Sequence, residues 1–488
     1  MKLLTKSKYI QGLQCPRFLW TMFHHPEEIK EPDLATQAIF AQGNLIGELA
    51  KKLFPGGIDL PTENFTVNLQ TTQELLKEDK PLFEAGIIFE NCYSRIDVLL
   101  PTETNEYDIV EVKSGTKVKE ENLNDVSFQK YCCEKSGLKI RNCYLLHVDN
   151  TYLKQGEIDP KKILIQEDVT SQVNVLMETI QDKIDSLFEV INSSECPDLK
   201  PNPLKNATHN CKKEGCLDDL PSDNVFTLYR AGKKAFELYD KGIESISKIP
   251  SDFKLNPKQE LQKNSEISNK THIHKESIKH FLKTLTYPLY YLDFETINPV
   301  LPKYEGMKPY QRIPFQFSLH VVKEKGGEVE HYEFLHDSKE DPRGLFLAEL
   351  KKVLGETGTI VTYNQAFEMG VLKECSEAFP EFKDWVENTL IRIVDLWVPF
   401  RNFSYYNPSQ HGSASIKQVL PAVTGKDYSD LDIGDGGTAS LKFIDITYGS
   451  VLKEEKLKIR EDLLKYCCLD TKGMVDIVEK LKENVGEF

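Results

Sequence analysis

The stretch Tyr287–Thr296, reading YPLYYLDFET, constrains this chain more than any other. It is a short apolar and aromatic run, which reads as a strand buried within a sheet. Side chains alternate faces along a strand, so Asp293 and Glu295 share one face at the end of an apolar segment. Two like charges so placed repel unless a cation sits between them. Mg²⁺ or Mn²⁺, which prefer hard oxygen ligands, would answer that need. A strand leaving the core with two solvated acids is the plain alternative, and the rest of the chain has to decide between them.

With 488 residues and domains of roughly 100–200 residues, two or three domains are expected. A hydrophobic fraction of 40% supplies sizeable cores. No apolar run reaches the roughly 18 residues that signal a membrane span. The N-terminus lacks an apolar h-region with a small-residue cleavage site. A cytoplasmic protein with no membrane partner is therefore expected. In a reducing compartment the 11 cysteines read as buried thiols and metal ligands rather than as a disulfide framework. The formal net charge of −15 argues against a basic nucleic-acid coat protein. It does not exclude a nuclease, whose catalytic carboxylates add negative charge while local Lys and Arg meet phosphate.

Helical spacing of Ile39, Leu45, Ile46, Leu49, Ala50 and Leu53 predicts a helix over 33–54, ended by Pro55-Gly56-Gly57. Strand-like runs follow between Leu82 and Val112, then a helix over 123–137 and the strand CYLLHV. This order predicts an α/β domain. Val169–Asn192 reads as one long amphipathic helix, and Cys196–Leu220 as irregular. Asp252–Lys283 is Lys-rich and polar, the composition of a linker or solvated spacer. From Leu285 onward strands and helices alternate again, marking a second α/β domain.

The first chemical constellation is Asp97 in one strand and Glu111-Val112-Lys113 in the next. Glu111 and Lys113 share a face. Carboxylates that hold Mg²⁺, with a lysine nearby, suit phosphodiester hydrolysis. Charged alternation on an exposed strand produces the same pattern. Cys15, Cys196, Cys211 and Cys216 are spaced so that they can converge on one zinc or one iron–sulfur cluster. Equally, they can be unrelated thiols.

Together, YIQGLQCPRFLW, RIDVLL, IVEVKSG, DVSFQKY and the later cysteines resemble the RecB-like nucleases of the PD-(D/E)XK superfamily over residues 1–220. The iron–sulfur type, CRISPR-associated or AddB-like, is the most similar. The resemblance implies a restriction-endonuclease-like domain. In it Asp97 and Glu111 bind metal and Lys113 is the catalytic lysine. Cys15, Cys196, Cys211 and Cys216 ligate a 4Fe-4S cluster, and Gln129 and Tyr131 lie in a DNA-contacting helix. This chain departs from the pattern in lacking a histidine over 43–48 and in the short Gln129–Tyr131 spacing. Its cysteine spacing is also unusual, so that His209 or a water is an alternative to Cys196 as ligand.

Residues 221–284 read as a connector. Within it, LYRAGKKAFELYDKGIESISKIP looks like a helix-hairpin-helix, whose turn at Gly232 with Lys233 and Lys234 would meet DNA phosphate. An ordinary α-hairpin fits equally.

In residues 285–488, TIVTYN predicts a strand followed by a helix bearing Glu368. Tyr466 and Asp470 are four apart and share a helix face. Asp293, Glu295, Glu368 and Asp470 could hold two Mg²⁺ ions about 4 Å apart, with Tyr466 orienting the attacking water. Asp395 reads as a strand-end structural acid or as support for the site, and Ser415-Ile416-Lys417 as a helix start or a phosphate contact.

Over 285–480 these motifs resemble the DnaQ-like 3′–5′ exonucleases of the DEDDy type on an RNase H-like fold, with Glu368 where the family usually has Asp. The expectation is thus a two-site nuclease acting on nucleic acid, DNA more than RNA, with Mg²⁺ or Mn²⁺. The rival expectations are an RNA exonuclease and a non-catalytic binding or assembly protein. No particular protein partner is implied.

Overall fold

The computed structural model describes residues 2–103, 105–205, 211 and 215–486. The chain is α/β and divides into two compact units. The first comprises 1–219 with 300–310, the second 220–299 with 311–488.

The first unit is built on a twisted sheet whose central strands are Leu82–Phe89, Cys92–Glu103, Glu106–Val112 and Lys139–Val148. The first three form an antiparallel meander, and the fourth runs parallel to the third. A parallel return needs a crossover, supplied by the helix Glu120–Lys135. The helix packs Val126, Phe128 and Cys132 onto the sheet with Ile96, Ile109 and Leu145, all fully buried. Each such side chain contributes roughly 1.5–3 kcal/mol of transfer free energy. Val300, Leu301 and Tyr310 pack on the other sheet face with Ile46, Val98, Val110 and Leu146. This segment is anchored by Glu305, which accepts from Lys154 Nζ at 2.6 Å and Gly156 N at 2.9 Å. The Tyr310 hydroxyl donates to the Ser114 carbonyl.

The predicted helix over 169–192 is two helices, Thr170–Met177 and Ile180–Asn192, broken at Glu178-Thr179. The apolar periodicity is continuous, but Val173 and the Ile180–Ile184–Leu187–Ile191 row enter the core from different helices.

The second unit holds a five-stranded sheet in the order Val329–Leu335, Ile313–Val322, Leu289–Ile297, Thr359–Thr362, Ile393–Asp395. The first three strands are antiparallel, and the last two continue parallel. The strand 289–297 lies at the centre and is packed on both faces. Leu289 and Tyr291 join the core beneath the C-terminal helix Lys453–Val485. Tyr290, Leu292 and Phe294 join the opposite core with Phe317, Phe346 and Val371. Two-sided burial explains why this strand reads as a continuous apolar run.

Gly358 enters the neighbouring strand at φ +86°, and a Cβ there would strike the Pro288 carbonyl. Gly358→Ala is therefore expected to destabilise this unit by about 1–3 kcal/mol for the left-handed backbone, with the clash adding to it. A lowered urea midpoint would show it, and an unchanged midpoint would contradict it.

The polar stretch over 252–283 is no linker. Gln259 and Gln262 on the helix Pro257–Ser268 are buried. Gln259 Nε2 donates to Tyr229 O at 2.9 Å and Gln262 Nε2 to Thr227 O at 3.0 Å, while Gln262 Oε1 accepts from Tyr229 N at 2.8 Å. The next helix, Lys275–Leu282, buries Ile278, Phe281 and Leu282 in the core beneath the C-terminal helix. Residues 221–284 therefore belong to the second unit rather than to a separate connector.

The helix-hairpin-helix expectation also fails. Gly232 does precede a helix, Lys233–Asp240, but the second arm is only a single turn, Ile246–Lys248. Lys234 Nζ is spent on Lys254 O at 2.8 Å, and Lys233 is left as an exposed surface lysine.

Candidate active sites

In the second unit the row Leu289, Tyr291, Asp293, Glu295 runs along one strand face. Its apolar members lie under the C-terminal helix and its acids emerge at that row's end. Tyr466 and Asp470 lie one turn apart on that helix, both buried. One carboxylate oxygen each from Asp293, Glu295 and Asp470 lies within 4.8 Å of the others. Glu368, in the first turn of the helix Ala366–Ala378, is 1% exposed, and its Oε2 has no hydrogen-bond partner.

Electrostatics describe a cluster short of positive charge. Burial, then Asp470, raises Asp293 well above the usual carboxylate range. Burial, then Asp293, does the same to Glu295 and to Glu368. Burial pushes Asp470 to about 6. Among the described residues, the cations acting on this set are Lys417, whose Nζ donates to Gly434 O, and Arg312, which is held by Glu374. Three buried carboxylates and the half-buried Asp293, with so little counter-charge, fit hard divalent cations.

Two partners were not foreseen. Tyr428 donates its hydroxyl to Asp470 Oδ1, and Cys467 Sγ lies 3.5 Å from Asp293 Oδ2. Tyr428 sits in a loop with no periodic signal. Cys467 was legible only as the neighbour of Tyr466. Asp395 has the structural role expected of it, accepting from Asn364 N at 2.9 Å and Trp397 N at 3.0 Å.

In the first unit Asp97 and Glu111 sit on adjacent antiparallel strands, and Asp97 Oδ2 accepts from Val112 N at 2.8 Å. Lys113 Nζ reaches Glu111 Oε1 and Asp125 Oδ2, both at 2.6 Å. These groups line a cavity of about 900 Å³. Sequence reasoning missed two of its members. Asp125 lies four residues before Gln129 on one helix face, a spacing that could have found it. Lys6 carried no signal, yet its Nζ lies 3.0 Å from Glu111 Oε1, 3.5 Å from Asp97 Oδ1 and 3.9 Å from Asp125 Oδ1.

Two lysines thus face three carboxylates, and this site is far nearer charge balance than the other. Enclosure, then the Glu111 charge, raises Asp97 to about 7. Burial works against ionised Glu111, but Lys113 and Lys6 outweigh it and hold Glu111 below the usual range. A metal would have to take the place that Lys6 Nζ occupies between Asp97 and Glu111.

Gln129 and Tyr131 do not present themselves to a ligand. Gln129 is fully buried and donates to Glu111 Oε2 at 2.6 Å. Tyr131, two residues on, points into the core, its hydroxyl 2.9 Å from Gln181 Oε1. The first orients a site carboxylate, and the second packs the helix.

Cys15, Cys211 and Cys216 converge with their sulfurs within 4.8 Å of one another. Cys196 is exposed and stands outside that trio. The adjoining Pro197 O is nevertheless tied, with Cys216 O, to the Arg17 guanidinium at 3.2 and 3.3 Å. Of the expected four-cysteine set, three thiols thus converge within 4.8 Å of one another. His209 lies outside the described residues.

A family model described as a domain of unknown function (DUF2779) matches residues 290–415. The match spans Asp293, Glu295 and Glu368 and stops short of Tyr466 and Asp470. No curated protein matches. Among solved structures, one titled "Crystal structure of SSO0001" is similar at 10% identity and a TM-score of 0.20, covering 38% of this chain and 76% of that one. No helix among the described residues is long and apolar enough to cross a membrane.

Proposed function

We propose that the chain is a metal-dependent nuclease whose principal active site is the carboxylate cluster of the second unit, a 3′–5′ exonuclease site. The observation that carries this reading is the convergence of half-buried Asp293 with buried Glu295 and Asp470, with the orphaned Glu368 carboxylate beside them. These acids would hold Mg²⁺ or Mn²⁺, which supply an activated water and neutralise charge on the phosphate. Tyr466 would orient that water, with its phenol kept protonated by burial and then by Asp470. The substrate is nucleic acid, with DNA favoured by the RecB-like resemblance of the first unit and RNA the alternative.

The test is degradation of end-labelled single-stranded DNA, duplex DNA and RNA by the full chain, with Mg²⁺ or Mn²⁺ and with chelator. Metal-dependent shortening from the 3′ end is expected. Inertness toward all three polymers would refute the assignment. Tyr466→Phe is expected to slow the reaction about 10- to 100-fold while metal binding persists. Full activity in that variant would remove Tyr466 from the mechanism.

For the first unit one observation favours binding over cleavage: Lys6 already stands among Asp97, Glu111 and Asp125. In this reading the unit cleaves only where a divalent ion displaces Lys6, and otherwise holds nucleic acid. Its cysteine trio would carry a 4Fe-4S cluster if Cys196 closes onto it, or zinc with a non-cysteine fourth ligand.

A further inference from the structure

A different donor set lies at the sheet edge of the second unit. His320, His331 and Cys468 each bring one ligand atom within 4.8 Å of the other two. They come from three elements: the strand 313–322, the edge strand 329–335 and the C-terminal helix. His320 and His331 are register partners across an antiparallel pair, and their rings stack with centroids 4.4 Å apart. Cys468 follows Cys467, and successive helical residues diverge by about 100°. Cys467 thus turns toward Asp293, while Cys468 turns toward the histidines.

The two rings are held as metal-binding imidazoles are held. His320 Nδ1 lies 2.8 Å from Thr471 Oγ1, and His331 Nε2 lies 2.9 Å from Ser318 Oγ. The Ser318 and Thr471 hydroxyls are themselves 2.7 Å apart. One nitrogen of each ring is thereby fixed by a hydroxyl, which leaves His320 Nε2 and His331 Nδ1 as donors. A second nitrogen bonded to the protein is what sets the tautomer and aim of a ligating histidine. Packing alone would also stack two histidines, but it would not require a half-buried thiol to meet both of them.

We propose that His320, His331 and Cys468 bind a zinc-class transition-metal ion. Two imidazoles and a thiolate suit Zn²⁺, whereas Mg²⁺ and Mn²⁺ prefer the all-oxygen cluster on the other side of the helix. His331 is exposed, so a water can complete the coordination. Glu333, on the same strand face and paired with Ser318, is the protein alternative. The ion would pin the sheet edge to the helical turn between Tyr466 and Asp470. The inference is independent of the nuclease reading, since it concerns other residues and another ion.

The experiment compares metal-stripped full-length protein with His331→Ala and Cys468→Ser. Each is reloaded with Zn²⁺, then Co²⁺, under excess Mg²⁺ to occupy the carboxylates. The wild type is expected to retain one more zinc ion per chain than either variant, and to gain a larger rise in melting temperature on zinc addition. Its cobalt form should show more thiolate-to-cobalt charge-transfer absorption than Cys468→Ser does. The cysteine trio contributes equally to all three proteins and cancels. His331→Ala removes an exposed ring while Ser318 keeps Thr471 as its hydroxyl partner, so it decides the matter even if Cys468→Ser disturbs packing. Equal zinc content and equal zinc-induced stabilisation in wild type and His331→Ala would overturn the proposal.

Discussion

Replacing Asp293 or Asp470 by asparagine in the full chain is expected to abolish metal-dependent degradation and to stabilise the metal-free protein. The rate should fall at least about 100-fold, since even outer partners of metal ligands cost 10- to 100-fold. Stability in chelator should rise by on the order of 1 kcal/mol, because each change removes a carboxyl whose ionisation the enclosed, mutually repelling set opposes. The rise in melting temperature that Mn²⁺ gives the wild type should shrink in both variants. The full chain is the right material, since cutting at 285 would remove Ile278, Phe281 and Leu282 from the core. Variants that kept full activity, or that lost stability in chelator, would contradict a metal-holding role for these acids.

Glu111→Ala is expected to have the opposite sign and a larger effect on stability. Glu111 is 1% exposed and accepts from Lys6, Lys113 and Gln129. Removing it takes away the buried carboxylate that both ammonium groups hydrogen-bond and leaves them only Asp97 and Asp125, and breaking a buried pair in this way costs about 3–5 kcal/mol. Glu111→Gln should cost less, and adding Lys6→Met to it should recover part of the loss, since the second change deletes the cation that has lost its nearest carboxylate. Lys6→Met alone should strengthen Mn²⁺ binding at Asp97 and Glu111. Chemical denaturation of the wild type, Glu111→Gln, Lys6→Met and the double variant gives the coupling directly. Strictly additive losses would mean that Lys6 and Glu111 do not act as a pair.

The two sites differ in how much of them could be read beforehand. Asp293 and Glu295 are related by strand alternation, and Tyr466 and Asp470 by helical spacing. Both rules operate over a few residues, and the structure places all four side chains as those rules require. Asp97 with Glu111, and Glu368 in a first helical turn, also stand where the strand and helix patterns put them. Lys6 and Tyr428 were invisible, because nothing near either residue marks it as facing a carboxylate remote in sequence. Gln129 and Tyr131 show the converse failure. Two positions apart on a helix they point to nearly opposite sides, so they could not both face a ligand.

The 252–283 stretch shows why composition misled. Glutamines and lysines were counted as solvated, yet Gln259 and Gln262 are buried because each satisfies the backbone of the 227–229 segment. A buried polar side chain costs little when its partners are supplied, and only the folded chain supplies them. The break at Glu178-Thr179 is similar in kind, since apolar periodicity continues across it while the two helices aim differently.

What the sequence determined by itself was local: the α/β alternation, the central strand with its two acids, and the helix that returns Tyr466 and Asp470. Periodicity and short-range sterics set those features, and they travel with the residues wherever the chain goes. The tertiary structure alone decided which charges meet. It brought Lys6 in among Asp97, Glu111 and Asp125, left Asp293, Glu295, Glu368 and Asp470 with little counter-charge, and gathered Cys15, Cys211 and Cys216 within 4.8 Å of one another. Electrostatic energy depends on distance and burial in space, and sequence separation specifies neither.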